Sequence, residues 1–189
     1  HGFSGIRPEL LDRLKDIYNA GIIPVIYQQG SLGASGDLAP LAHLSLLLLG
    51  KGKVYLNGKE TDAASALKMH NIEPLPLKSK EGLALLNGTQ FSLAYATKII
   101  AEAKALFHIA NKIAALSMEA FVCDIAPFDH LLHDIRPHEG QLTTASEIFA
   151  LLDGSELRNF QKLSVQDPYS FRCVPQVHGA SYQAIKHAE

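Results

Sequence analysis

The sequence predicts a mainly α protein, a helix-bundle core with one small β-hairpin, and three observations carry that expectation. A long segment, residues 89–121, places apolar or small residues at alternating steps of four and three. Several shorter segments show helical spacing closed by glycine, and only one stretch alternates in the manner of paired strands. At 189 residues, 47% of them hydrophobic and 19% charged, the chain can bury a sizeable core, and a single unit over 1–189 is the expected organisation.

Taken in order, residues 8–20 form an amphipathic helix: Leu10, Leu11, Leu14, Ile17 and Tyr18 recur at three-and-four spacing, and Gly21 supplies the stop. Residues 22–27 are apolar and β-branched but contain Pro24, which points to an extended lead-in rather than a sheet strand. Asp37 is placed to cap a helix over 38–49, with Pro40 tolerated in its first turn and Gly50 and Gly52 ending it. Residues 53–61 alternate around Asn57-Gly58, the signature of a two-residue hairpin turn. A short helix over 62–70 leads into a connector through Pro74 and Pro76. The seam of the long helix runs Ile99, Ala103, Leu106, Ala110, Ile113, Ser117 and Ala120. Ile100, Phe107, Ala114 and Phe121 widen it on one side, as in a central bundle helix with more than one neighbour. Such length without a second core points to partners in further sequence or in other subunits. Pro127, Pro137 and Gly140 interrupt the next stretch, a helix resumes over 141–152, and Gly154 closes it. Residues 165–177 read as irregular and 182–189 as a helix barely begun, which together with His1 in place of Met suggests a piece of a longer protein.

Composition narrows the function classes. A net charge of -2 with no basic stripe disfavours nucleic acid and anionic membrane surfaces, leaving a small molecule or another protein chain as partner. Two distant cysteines, Cys123 and Cys173, without a CxxC companion, argue against a zinc knot or a disulfide scaffold and favour a reducing cytoplasm. The most apolar run, 38–49, is broken by Pro40 and His43 and falls short of the about 18 residues needed to span a bilayer. No signal segment is read. Gly-x-Ser-x-Gly, Gly-x-Gly-x-x-Gly, Walker A and His-Glu-x-x-His are all missing from the sequence. His130, His133 and His138 have loosely metal-like spacing but read as surface residues, so no metal is expected. Cys173 beside Arg172 has no identifiable base and reads as a structural thiol.

The chain is organised around Gly30-Ser-Leu-Gly-Ala-Ser-Gly-Asp-Leu-Ala-Pro40. Glycine removes the Cβ barrier to unusual backbone angles, so the nitrogen of Gly36 could approach the carbonyl carbon of Ala34 closely enough to attack it. The product is a five-membered ring, and loss of water with the Ser35 hydroxyl leaves an exocyclic methylene, an electrophile that no ordinary side chain offers. Alone, the stretch reads better as a glycine-rich turn capping a helix, and the rest of the chain has to shift that reading. Two further polar clusters interrupt apolar surroundings. Asn87, in Asn87-Gly-Thr-Gln90, precedes the long helix, where an amide caps the helix or reaches a ligand. Gln166, Tyr169 and Arg172 fall at steps of three around Pro168, putting an amide, a phenol and a guanidinium within reach of one volume; the alternative is a loop tied down by its own polar groups.

Together, residues 30–43, 81–90 and 165–179 closely resemble the aromatic amino acid ammonia-lyases, end to end and in the family's motif order. The plant phenylalanine enzymes carry Thr-Ala-Ser-Gly and a Gln-Asp-Arg-Tyr version of the last motif, so Gly33 and Pro168 favour the histidine branch or a bacterial tyrosine enzyme. The fumarase-type signature does not appear, although the implied architecture is the ammonia-lyase/fumarase-like fold. The resemblance implies autocatalytic closure of Ala34, Ser35 and Gly36 to methylidene-imidazolone, with Asp37 assisting, and no external cofactor. It implies that Asn87 contacts ring and substrate, that Tyr169 positions substrate, that Arg172 holds its carboxylate and that Gln166 supports the site. The implied activity is elimination of ammonia from L-histidine to give urocanate, by a cytoplasmic homotetramer with no nucleic-acid or membrane partner. Alternatives are a tyrosine ammonia-lyase or aminomutase with the same electrophile, or a non-catalytic helical module. Family members are much longer, and a catalytic Tyr, an upstream ring-recognition residue and a downstream Phe and Glu have no counterpart here. Little or no lyase activity is therefore expected of these residues alone, and closure at Ser35 is expected to need compression by the whole fold.

Overall fold

A computed structural model describes residues 3–156, 162 and 164–189; the opening His1 lies outside them. Two compact units form, one ending at Tyr95 and the other starting at Ala96.

In the first unit, α1 (Pro8–Asn19) starts with a proline where a missing N–H leaves nothing unpaired, and buries Leu10 and Ile17. Strands β1 (Ile23–Pro24), β2 (Lys53–Leu56) and β3 (Lys59–Asp62) make an antiparallel sheet in the order β1-β2-β3, with Ile23 opposite Tyr55 and Lys53 opposite Asp62. The expectation of a lone hairpin is thus corrected: residues 22–27 contribute a third, edge strand. Pro24 is tolerated there because the neighbouring Val25 N–H, not its own nitrogen, donates to Lys53 O at 2.9 Å. Asn57 (φ +51) and Gly58 (φ +76) both take the left-handed conformation that a type I′ hairpin turn requires. Helix α2 (Leu38–Leu46) tightens into a 3-10 turn over Leu47–Leu49 before Gly50. Helix α3 (Ala63–Met69) is capped by Asp62, whose carboxylate accepts the Ser65 N–H at 3.2 Å. Leu10, Ile17, Ile22, Leu48, Val54 and Leu67 fill one core between these elements.

The first unit also contains α4 (Glu81–Leu86), which the sequence reading leaves unassigned. Its first residue is buried and held from three sides. The Arg7 guanidinium donates to both Glu81 carboxylate oxygens at 2.7 and 2.8 Å, and the Lys78 and Arg7 N–H groups add bonds at 2.7 and 3.2 Å. The Arg7 hydrogen bond, followed by that from Lys78, pulls the Glu81 pKa down from 4.5 to about 2. A depressed carboxylate contributes stability that is complete above its unfolded value and is lost as pH falls through the folded one. Acid titration followed by circular dichroism is therefore expected to show a loss of stability between pH 4.5 and about 2, and Glu81→Gln is expected to remove that step. An unchanged acid limb in Glu81→Gln would refute the assignment.

Helix α5 (Gln90–Phe121) begins in the first unit and runs through the second. Its buried residues are Phe107, Asn111, Ala115 and Met118, so the inward stripe is not the expected seam. Ile99, Leu106 and Ile113 remain 59%, 63% and 58% exposed. Asn111 is fully buried within the inward stripe, donating to Glu147 Oε2 at 2.8 Å and pairing with His178 Nδ1 at 2.7 Å. Among the described residues, helices α6 (His130–Asp134), α7 (Glu139–Leu151), α8 (Tyr169–Arg172) and α9 (Val174–Ala188) follow in this unit. The irregular reading of 165–177 is corrected, since α8 and the start of α9 occupy it, and 182–189 continues a helix that Pro175 opens in its first turn. Helices α7 and α9 touch backbone to backbone at Gly140 and Gly179: a Cβ on Gly179 would lie 2.5 Å from Gln141 N. Met118, Cys123, Phe128, Ile148, Leu152 and Val174 form this unit's core.

Candidate active site

In the first unit the loop ahead of α2 bends as its glycines suggest. Gly30, Gly33 and Gly36 have φ of +109, +75 and +108, and Gly33 and Gly36 bridge each other across the turn. Ala34 and Ser35 stand exposed at its tip. Gly36 is pressed onto the chain following α4: a Cβ there would lie 2.8 Å from Gly88 O and 3.3 Å from Asn87 Oδ1. Asn87 ends α4, its N–H donating to Leu83 O at 3.0 Å, so its amide stands beside the loop.

Asp37 is the buried member of this cluster, 2% exposed. Its N–H donates to Gly88 O at 2.7 Å. The expected cap of α2 by its side chain is not formed. Its carboxylate instead accepts the Ser92 hydroxyl at 2.6 Å and the Ser92 N–H at 2.8 Å, in the first turn of α5. The long helix presents unpaired N–H groups there, and an anion is favoured at that end. The Ser92 hydroxyl bond, with the Ser92 N–H, holds the Asp37 carboxyl below the usual carboxylate range. Ser92 is the residue that sequence reasoning missed. The available signal was a serine at the third position of the long helix, which reads as an ordinary first-turn residue until its partner is known.

In the second unit, Gln166 lies exposed ahead of α8, while Tyr169 and Arg172 open and close it. The structure brings the last two together: the Arg172 guanidinium sits 4.1 Å over the Tyr169 ring centroid. Arg172 Nε donates to Asp167 O at 3.1 Å, which fixes the plane of the guanidinium. Asp167 itself is buried, accepting the Asp124 N–H at 2.7 Å and pairing with Lys162. Burial pushes its pKa up, but the Lys162 and Asp124 hydrogen bonds outweigh that and leave it lowered. Phe171 stacks on Phe121 at 4.7 Å, so this segment is anchored by one acid and one ring.

Other candidates are accounted for within their own neighbourhoods. His133 is buried, with Nε2 on Pro127 O at 3.0 Å and Nδ1 facing the Gln141 amide at 2.9 Å, so neither nitrogen is open to a ligand. No group of histidine, cysteine and acidic side chains converges on a metal-sized point among the described residues. Burial pushes the Cys123 thiol up to about 11, which makes it inert. No helix among the described residues is long and apolar enough to cross a membrane.

Largely helical, with a glycine turn seated on an Asn-Gly corner, the chain belongs to the aromatic amino acid lyase family, whose model matches residues 1–189. It is similar to the histidine ammonia-lyase of Geobacillus sp. (strain WCH70), 49% identical over 189 residues, which cover 100% of this chain and 37% of that protein. Among solved structures it matches the histidine ammonia-lyase from Trypanosoma cruzi with a TM-score of 0.82 and 39% identity, over 97% of this chain and 34% of that one. The Pantoea agglomerans phenylalanine aminomutase matches with a TM-score of 0.88 and 34% identity, over 98% and 39%. The chain thus spans a little over a third of the length of the relatives it matches.

Proposed function

We propose that this chain is the electrophile-bearing portion of a cytoplasmic histidine ammonia-lyase that eliminates ammonia from L-histidine to give urocanate. The observation that carries the reading is the seating of Gly36, at φ +108 and with no room for a Cβ against Gly88 and Asn87. An ordinary turn before a helix needs neither feature, whereas ring closure needs the Gly36 nitrogen bent back toward Ala34 with Ser35 free of packing. The residues therefore fit a methylidene-imidazolone made from Ala34-Ser35-Gly36, with no external cofactor. When formed, that group supplies an electrophile that makes loss of a poor leaving group, the amine, feasible.

The chain's own residues then have separable tasks. Asn87 presents its amide beside Gly36, to hold ring and substrate. Arg172 binds the substrate carboxylate through its guanidinium, Tyr169 keeps that guanidinium in plane and contacts substrate, and Gln166 supports the site. Asp37, ionised, anchors the loop during closure. The base that takes the β-proton comes from outside these residues, and the exposed Ile99, Leu106 and Ile113 suit packing into a homotetramer.

Two measurements on the full-length protein test the proposal. The peptide spanning Ala34–Gly36 is expected two waters light, about 36 Da, and turnover is expected to favour histidine over tyrosine and phenylalanine. The 189-residue chain by itself is expected to show little or no turnover. An unmodified peptide would remove the electrophile; a preference for tyrosine, or a β-amino acid product, would move the assignment to the tyrosine enzymes or the aminomutases.

A further inference from the structure

We propose that Ser92 is a positioning residue for formation of the electrophile, clamping Asp37 to the first turn of α5 so that Gly36 stays pressed on Gly88 while its nitrogen attacks the Ala34 carbonyl. The inference rests on the reading of Ala34-Ser35-Gly36 as an electrophile precursor and extends it to a residue outside all three motif clusters.

The geometry is a three-point tie within the first unit. Ser92 gives Asp37 both of its donors, the hydroxyl to Oδ1 at 2.6 Å and the N–H to Oδ2 at 2.8 Å, so both carboxylate oxygens are engaged by one residue. The Asp37 N–H is in turn fixed on Gly88 O at 2.7 Å. The same Gly88 oxygen is the atom that a Cβ on Gly36 would meet, at 2.8 Å. The loop end adjoining the attacking nitrogen is therefore held by a rigid helix start. The other end, through Gly33, has no side-chain space restriction: a Cβ at Gly33 would meet nothing within 4 Å. A loop fixed at one end and open at the other closes by moving Ala34 onto Gly36, and the clamp decides whether the nitrogen waits in place.

The covalent change balances without an oxidant. A bond forms between Gly36 N and the Ala34 carbonyl carbon. The Ala34 oxygen leaves as water with the Gly36 and Ser35 amide hydrogens, creating a C=N bond to Ser35 N. Ser35 then loses its α-hydrogen and hydroxyl as a second water, giving the exocyclic double bond. Asp37 and Ser92 are unchanged throughout, which is why Ser92 acts only through position.

The test measures ring closure in the full-length protein by the mass of the Ala34–Gly36 peptide against time after synthesis, alongside the thermal melting midpoint. Ser92→Ala is expected to slow closure by about tenfold or more, the weight of a hydrogen bond to a charged group. Ser92→Thr, which keeps hydroxyl and N–H, is expected to close at close to the wild-type rate. Wild-type closure in Ser92→Ala, with the wild-type peptide itself modified, overturns the role of Ser92 and leaves the electrophile standing. An unmodified wild-type peptide overturns the electrophile and this proposal together. If Ser92→Ala does not fold, Ser92→Cys replaces it, the thiol being a weak donor of similar size; equal closure in Ser92→Cys and Ser92→Thr overturns the proposal.

Discussion

Gly36→Ala is expected to leave the loop unclosed, with the Ala34–Gly36 peptide at unmodified mass and lyase turnover in the full-length protein lost with it. Two independent penalties act at this one position. The φ of +108 is a conformation that an L side chain rarely adopts. The added Cβ would also meet Gly88 O at 2.8 Å and Asn87 Oδ1 at 3.3 Å, and the first of these is backbone, already tied to the Asp37 N–H. It cannot rotate aside, so the loop must lift off the Asn87-Gly88 corner. A displacement of about an ångström is enough to slow an intramolecular attack by roughly a hundredfold. Gly33→Ala is the matched control. It also sits at positive φ (+75), but its Cβ would meet nothing within 4 Å, so only strain is added and the ring is expected to form. Ring formation in Gly36→Ala at the Gly33→Ala rate would show that the contact with Gly88 has no part in closure.

Gly179→Ala is expected to destabilise the second unit by about 3 kcal/mol, seen as a fall of roughly 10 °C in the melting midpoint. The new methyl would stand 2.5 Å from Gln141 N and 2.6 Å from Gly140 C, both backbone atoms of α7. Helices α7 and α9 must then separate, and the separation opens the contacts of Ile148 and Val174 as well as the bonds that Asn111 makes to Glu147 and His178. Gly140→Ala forces the same separation from the other side. The double variant is accordingly expected to lose less than the sum of the two single losses, because one movement accommodates both methyls. A change of less than about 1 kcal/mol in Gly179→Ala would mean that the helices yield without loss.

What could be read from the sequence was what local chemistry decides. Asn57-Gly58 specified its turn, Pro8 and Gly21 bracketed α1, and the glycine-rich loop announced its bend, because each of those choices is made within a few residues. The pairing of Pro24 with Val54 was not legible, since whether a proline lies on an edge is decided by a partner some thirty positions away. The stripe of α5 that is buried within this chain was not legible for a related reason. The helix's apolar spacing supports more than one stripe, and the buried one carries an amide, Asn111, whose partners lie on α7 and α9. At the candidate site, Asp37 was marked by its neighbours, yet the destination of its carboxylate depended on Ser92, a residue that joins it only through the fold. The seating of Gly36 on Gly88 likewise joins two motifs whose spacing in sequence carries no hint of contact.

The edge strand β1 has a consequence for how the protein behaves among its copies. Backbone groups alternate direction along a strand, and because the Val25 N–H faces β2, the position of Pro24 faces the open side. A fourth strand docking there would find a ring where it needs a donor. Pro24 thus acts as a stop that keeps a short sheet with an exposed Ile23 from recruiting strands of other molecules into an aggregate.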